Sequence, residues 1–249
     1  MKKYLRVLSI VLALALAICG LCACTATKEG DNKLIMATNA AFPPYEYYEG
    51  ETIVGIDAEV GALIAEKLGM ELEIVDMDFN GILGAIQSGV ADIGLAGMTV
   101  TEKRLESVNF SVSYAKGVQV VIVKENSAIA TLDDLAGKLI GVQEATTGDI
   151  YATDEFGEDK IKRYQNGAAA VEALQSGIVD AVIIDNEPAK AFVADQQGLT
   201  ILETAYADED YAIAVAKENT ELLDKINTAL GELIADGSVE KIVNKYIPA

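Results

Sequence analysis

Two short stretches carry residue types from which a polar small-molecule site can be built. Ala96, Gly97, Met98 and Thr99 follow an apolar run at residues 91–95, and Asp185 follows a second run at 179–184. Small residues leave backbone donors and acceptors accessible, and a threonine hydroxyl adds one donor and two acceptor lone pairs. A carboxylate supplies acceptors with charge. In open α/β sheets, ligands bind beyond the carboxyl ends of the strands. If the two runs are strands of facing lobes, donors and acceptors from one oppose a carboxylate from the other, which makes a binding cleft. On local grounds alone, Asp185 reads equally as a helix N-cap shortly before Pro188.

What the chain lacks narrows the chemistry. It has no histidine, and its three cysteines, Cys19, Cys22 and Cys24, all lie near the start. Histidine-based triads and imidazole metal sites are excluded, as are thiolate zinc or iron–sulfur sites in the body. No metal or cofactor is expected. With 19 basic against 39 acidic residues and a net charge of −20, the chain repels polyanions, so nucleic acid is not a partner.

Lys2, Lys3 and Arg6 precede an uncharged apolar run at residues 7–21. The run is shorter than the roughly 20 residues a membrane-spanning helix needs, and its flanks are those of a secretory signal. It ends in Leu21-Cys22-Ala23-Cys24, which resembles the lipobox of bacterial lipoproteins, although Cys22 stands where Ala, Ser or Thr is usual. That resemblance implies a signal at residues 1–23, lipidation of Cys24 by palmitate-type chains and a tether over 24–32. The protein would then be extracytoplasmic and held to the membrane by lipid alone. A plain cleaved signal with a chance cysteine is the competing reading.

The elements that must position the site follow from periodicity. Strands are predicted at 34–37, 72–75, 91–95, 138–142 and 179–184. Helices are predicted at 57–68, ended by Gly69, and at 82–87, 148–155 and 168–175. Residues 219–247 read as two helices broken at Asp236-Gly237. Strand–helix alternation implies a parallel-rich α/β sheet. Ile86-Gln87-Ser88-Gly89-Val90-Ala91-Asp92 and Leu174-Gln175-Ser176-Gly177-Ile178-Val179-Asp180 share one pattern, which argues for two lobes of related design.

Several motifs in their order resemble the polar amino-acid-binding proteins of bacterial ABC importers, the extracellular solute-binding proteins of family 3. They are Ala37-Thr38-Asn39-Ala40-Ala41-Phe42-Pro43-Pro44-Tyr45-Glu46, Gly55-Ile56-Asp57, Met77-Asp78-Phe79 and Ala96-Gly97-Met98-Thr99-Val100-Thr101-Glu102-Lys103-Arg104. The likeness continues through residues 142–148 and 180–185. It implies an α/β fold of two lobes, the type II periplasmic-binding-protein-like arrangement, with two hinge-crossing strands near residues 114–118 and 209–213. Lobe 1 would comprise residues 33–116 and 212–249, and lobe 2 residues 117–211.

The resemblance also implies site roles. Arg104 would clamp a ligand's α-carboxylate, a task suited to a planar guanidinium. The backbone N–H groups of Thr99 and Thr147 would share that anion, the latter from the Thr146-Thr147-Gly148 turn opening a helix. Asp185 would take the α-ammonium, with the Gly97 carbonyl and Thr99 hydroxyl as further acceptors. Phe42 and Phe79 would flank the side chain, and Asn39, Ala96 and Thr146 would complete the lining. Gly97 departs from a Ser found in some relatives. Taken alone, Arg104 reads as a solvated helix residue, and Phe42 and Phe79 as core. The implied ligand is a small polar L-amino acid of the arginine or glutamine class. Asn39 favours a neutral side chain, whereas Glu46, Glu144 and the 142–149 phrase fit a cationic one. The implied partners are the importer's membrane subunits, with the protein a monomer and not an enzyme. Two other functions share the pattern: a dehydratase of cyclic carboxylic acids using Glu46 or Glu144 as its acid, and a ligand-sensing domain.

Overall fold

The computed structural model describes residues 32–248. The signal, lipobox and lipidation expectations, Cys24 included, lie outside the described residues. Among those described, no helix is long and apolar enough to cross a membrane.

Two mixed sheets form the two lobes. In the first, the strand order is Glu71–Asp76, Lys33–Thr38, Ile93–Gly94, Ala214–Ala216, Val108–Phe110. In the second it is Ile161–Tyr164, Ile140–Gln143, Ala181–Asp185, Ala115–Lys124, Leu199–Ile201, and Ala207–Tyr211 also pairs with 115–124. Each sheet contains the same pattern, in which one strand lies between the next two in sequence, 33–38 between 71–76 and 93–94 and 140–143 between 161–164 and 181–185. Side chains of the 33–38 strand alternate between two cores, as a pleat of period two requires. Leu34 and Met36 pack with helices Ile56–Leu68 and Thr220–Ala235, whereas Ala37 joins helix Ile82–Gln87.

The parallel-rich expectation needs correction. The 33–38 strand is parallel to 71–76 and to 93–94, but 214–216 runs antiparallel to both its neighbours. In the second sheet, the 140–143 strand is parallel to both neighbours, and every pairing of 115–124 is antiparallel. The cause lies in the connections. The chain leaves the first sheet after 108–110, runs up the second as 115–124, and returns through 207–211 to 214–216. Strands that cross out and back are antiparallel by geometry, and periodicity carries no trace of that.

The internal repeat is a structural one. Gly89 and Gly177 both adopt left-handed backbone, with φ of 73° and 79°. Val90 N–H donates to the Ala85 carbonyl and Ile178 N–H to that of Ala173, each at 2.9 Å, which is the helix-ending motif such a glycine permits. Then Asp92 Oδ2 accepts from Ile35 N at 2.8 Å, and Asp180 Oδ2 from Leu139 N at 2.9 Å. Each aspartate thus ties the start of the strand that follows it to the central strand of this three-strand pattern. Ladder pairing over 91–95 is confined to Ile93–Gly94, while the flanking Asp92 and Leu95 still donate to Ile35 and Ala37 carbonyls.

Candidate functional site

A narrow, largely enclosed cavity lies between the lobes, at the carboxyl ends of the parallel strands. All ten residues singled out from the sequence line it. Asn39, Phe42, Phe79, Ala96, Gly97, Thr99 and Arg104 come from the first lobe, and Thr146, Thr147 and Asp185 from the second.

Arg104 is buried, at 6% exposure, which overturns its isolated reading as a solvated helix residue. It sits on the short helix Glu102–Leu105, where Thr101 Oγ1 accepts from Arg104 N at 3.2 Å. That cap fixes the residue's place. Nη1 donates to the Thr99 carbonyl at 2.7 Å and Nη2 to the Ala145 carbonyl at 3.0 Å, so one guanidinium touches both lobes. Its centre lies 5.4 Å from the Phe79 ring centroid, a cation–π distance. Burial lowers its pKa from the ordinary value, and Glu209 is the charged neighbour that most offsets this. Among the described residues no carboxylate pairs with it within 4.0 Å. Ala145, the residue presenting the carbonyl, has a φ of 65°, a costly backbone state for a non-glycine residue. Its N–H is held by Asp149 at 3.0 Å, and Asp149 is held by Arg163 at 2.9 Å. Thr146 caps helix Thr147–Phe156 through Asp149 N.

Asp185 fulfils both of its sequence readings. It caps helix Asn186–Asp195 by accepting from Glu187 N at 3.0 Å, and it also lines the cavity. Its Oδ2 accepts from Val118 N at 2.9 Å and from Tyr211 Oη at 2.7 Å. Burial outweighs these donors and raises its pKa to about 6. Beside it, Glu209 Oε2 accepts from Thr99 Oγ1 and from Gln119 Nε2, both at 3.0 Å. Because the Thr99 hydroxyl proton is directed to Glu209, its lone pairs are left to accept.

Two neighbouring acids, Glu46 on the cavity wall and Asp57 behind it, lie at the other side. Glu46 is fully buried, hydrogen-bonds Asp57, and has an Oε2 without a partner. Burial, together with Asp57, pushes Glu46 well above the usual range. Asp57 is raised to about 6 by burial, against donors that include Gly97 N at 2.8 Å and Tyr114 Oη at 2.7 Å. Burial thus disfavours negative charge on both of these acids. Further along, Asn39 donates to the Met77 carbonyl and accepts from Gln143 Nε2, both at 2.9 Å, a second bridge between lobes. Glu144 does not line the cavity; it accepts from Asn80 at 3.1 Å on the rim.

The missing serine at 97 has a steric explanation. Gly97 has a φ of 50°, and a Cβ there would lie 2.8 Å from Phe42 Cε1. The ring, stacked on Tyr45 at 5.7 Å, fills the space a side chain would need. Gly97→Ala is expected to displace Phe42 and weaken ligand binding roughly tenfold, from strain of about 1–3 kcal/mol. Titration calorimetry beside a thermal melt checks this, and unchanged affinity would show that Phe42 yields freely.

Sequence reasoning missed Gln119, Gln143, Glu209 and Tyr211, all on the cavity wall. Gln119 had a usable signal, since it is the lone polar residue in the run Val118-Gln119-Val120-Val121-Ile122-Val123. A polar side chain inside a buried strand needs a partner. Glu209 had none, because it lies in the acidic phrase Asp208-Glu209-Asp210, which reads as a solvated edge.

Comparison with known proteins follows the same lines. The model of the bacterial extracellular solute-binding proteins, family 3, matches residues 34–249. The chain is 35% identical over 252 residues to the arginine-binding extracellular protein ArtP of Bacillus subtilis (strain 168), covering 99% of this chain and 98% of that one. An ancestral arginine-binding protein bound to glutamine superimposes with a TM-score of 0.83 at 40% identity, covering 88% of this chain and 99% of that chain. The arginine-, lysine-, histidine-binding protein ArtJ of Geobacillus stearothermophilus gives 0.83 at 34% identity, over 87% and 96%.

Proposed function

The chain belongs to the bacterial extracellular solute-binding proteins of family 3, and on that premise we propose that it captures a cationic L-amino acid of the arginine class and presents it to the membrane subunits of an ABC importer. The observation that carries the ligand class is the cavity's charge balance. Arg104 is the lone cation among its lining residues, against Asp185, Glu209 and the Glu46–Asp57 pair. Once Arg104 has taken an α-carboxylate and Asp185 an α-ammonium, the remaining acid lacks a counter-charge. Buried charges must be paired, and a guanidinium side chain supplies the pairing, with Glu46 Oε2 as an open acceptor. The arginine-binding relatives support the same class.

Asn39, Phe42, Phe79, Ala96, Gly97, Thr99, Arg104, Thr146, Thr147 and Asp185 form the ligand site in this reading. Residues 33–116 with 212–249 make one lobe and residues 117–211 the other. Ligand binding favours the closed state because it bridges both lobes. Lobe-to-lobe hydrogen bonds from Arg104, Gln143, Asn80 and Gln165 hold that state. The protein works outside the cytoplasm as a monomer, anchored through a lipid on Cys24 after loss of residues 1–23. It is a carrier rather than an enzyme in this reading, since Arg104 and Asp185 supply the paired clamp of an amino-acid site, and Glu144, one of the two acids a dehydratase could use, does not line the cavity.

The test is calorimetric titration of delipidated protein, unfolded and refolded to strip carried-over ligand, against L-arginine, L-citrulline and L-glutamine. Citrulline matches arginine in shape without its charge. Arginine is expected to bind about 10- to 100-fold more tightly, the worth of one or two charge-assisted hydrogen bonds. Citrulline or glutamine binding as tightly would sink the cationic reading. It would favour a neutral carboxamide ligand meeting the Asn39–Gln143 amide pair. Silence across the series would remove the amino-acid reading altogether.

A further inference from the structure

We propose that Glu209, on the strand returning between the lobes, is a second carboxylate of the α-ammonium site and makes a free α-amine a condition of tight binding. The inference rests on the amino-acid reading above and adds a residue to it.

Acceptor capacity points to this residue. A carboxylate offers about four lone-pair positions. Asp185 spends three of them on protein donors: Glu187 N, Val118 N and Tyr211 Oη. Glu209 spends two, both on Oε2, and its Oε1 is buried with no partner at all. An ammonium has three protons to place, and Asp185 has only one lone-pair position left to offer it. The two acids are neighbours through the sheet. Gln119 is the register partner of Asp185, and Gln119 Nε2 donates to Glu209. The charge of Glu209 is felt by Asp185, Tyr211 and Arg104. Glu209 is 5% exposed and makes no ion pair within 4.0 Å among the described residues. An unpaired buried carboxylate is costly, and the cation that would pair it is the one Asp185 also attracts.

The same residue sets the direction of Thr99. By accepting the hydroxyl proton of Thr99, Glu209 leaves Thr99 Oγ1 as an acceptor toward the ammonium. Asp185, Thr99 Oγ1 and Glu209 Oε1 then supply three acceptors for three N–H bonds. The site thereby combines a carboxylate from the second lobe, a hydroxyl from the first and a carboxylate from the strand connecting them.

The experiment compares L-arginine with 5-guanidinopentanoate, which lacks only the α-amine, in wild-type protein and in Glu209→Gln. Gln keeps an oxygen for Thr99 and Gln119 but removes the charge. L-arginine affinity is expected to fall roughly 10- to 100-fold, while affinity for the deamino compound changes by less than about threefold. A residue that merely braces the hinge would weaken both ligands equally, and that result overturns the proposal. If E209Q does not fold, Glu209→Ala, which also removes the charge, carries the same comparison. If neither variant folds, Glu209 belongs to the fold and the proposal fails. Wild-type protein that binds neither arginine nor another amino acid would defeat the underlying reading instead, a separate outcome.

Discussion

Replacing Arg104 with alanine is expected to weaken L-arginine binding by about 30- to several-thousand-fold, the range for removing one partner of a buried, hydrogen-bonded charge pair. Three separate interactions are lost. The ligand's α-carboxylate loses a planar two-donor clamp. The Thr99 and Ala145 carbonyls lose their shared donor, so the closed state loses one of its bridges. Glu209 loses its nearest attractive charge, leaving the cavity more acidic still. Two of these losses fall on binding and closure rather than on either lobe's core, and the variant should fold. Arg104→Lys separates charge from geometry, because it restores the cation without the fork, and is expected to recover only part of the affinity. Titration calorimetry of the three proteins is sufficient. Affinity within about threefold of wild type in Arg104→Ala would remove Arg104 from the site.

Much of this molecule was legible because it is local. Gly69, Gly89 and Gly177 end their helices in left-handed backbone, and a helix stop needs only its own few residues to be read. The repeated Gln-Ser-Gly turns with their following aspartates foretold two lobes because the same hydrogen bonds recur in both. The antiparallel halves of the sheets were not legible. They follow from where the chain crosses between lobes, and strand periodicity is the same in either direction. The site divided along the same line. Residues at strand ends, such as Thr99 and Asp185, could be placed by the rule that ligands lie beyond the carboxyl ends of strands. Gln119 and Glu209 lie within the crossing strands, where Gln119 was marked only as a polar residue needing a partner and Glu209 was hidden in an acidic phrase. They became visible only when burial left Glu209 Oε1 without a partner.

Asp185→Asn is expected to move stability and affinity in opposite directions. Asparagine keeps one side-chain oxygen able to cap helix 186–195, but its NH2 then faces the Val118 N–H, so the change removes an acceptor as well as a charge. In the folded protein Asp185 titrates at about 6, above the ordinary carboxylate value of 3.8. As pH rises from 4 the unfolded chain ionises first, and folding loses stability until the folded group has also ionised, above pH 6. At neutral pH the full penalty applies, roughly 2–3 kcal/mol for a shift of this size. Leaving the Val118 N–H without an acceptor opposes this by about 1 kcal/mol or more, so the unliganded variant should be more stable by up to about 2 kcal/mol, read as a higher melting temperature. L-Arginine affinity should nonetheless fall about 10²- to 10³-fold, because the ammonium loses its principal carboxylate. Wild-type affinity should also fall as pH drops below about 6, approaching tenfold per unit for this proton, and that component should be absent from the variant. General damage to the fold would lower melting temperature and affinity together. An ordinary surface aspartate would change neither. Only a carboxylate kept ionised in a buried cavity for the sake of a ligand gives a more stable protein that binds less.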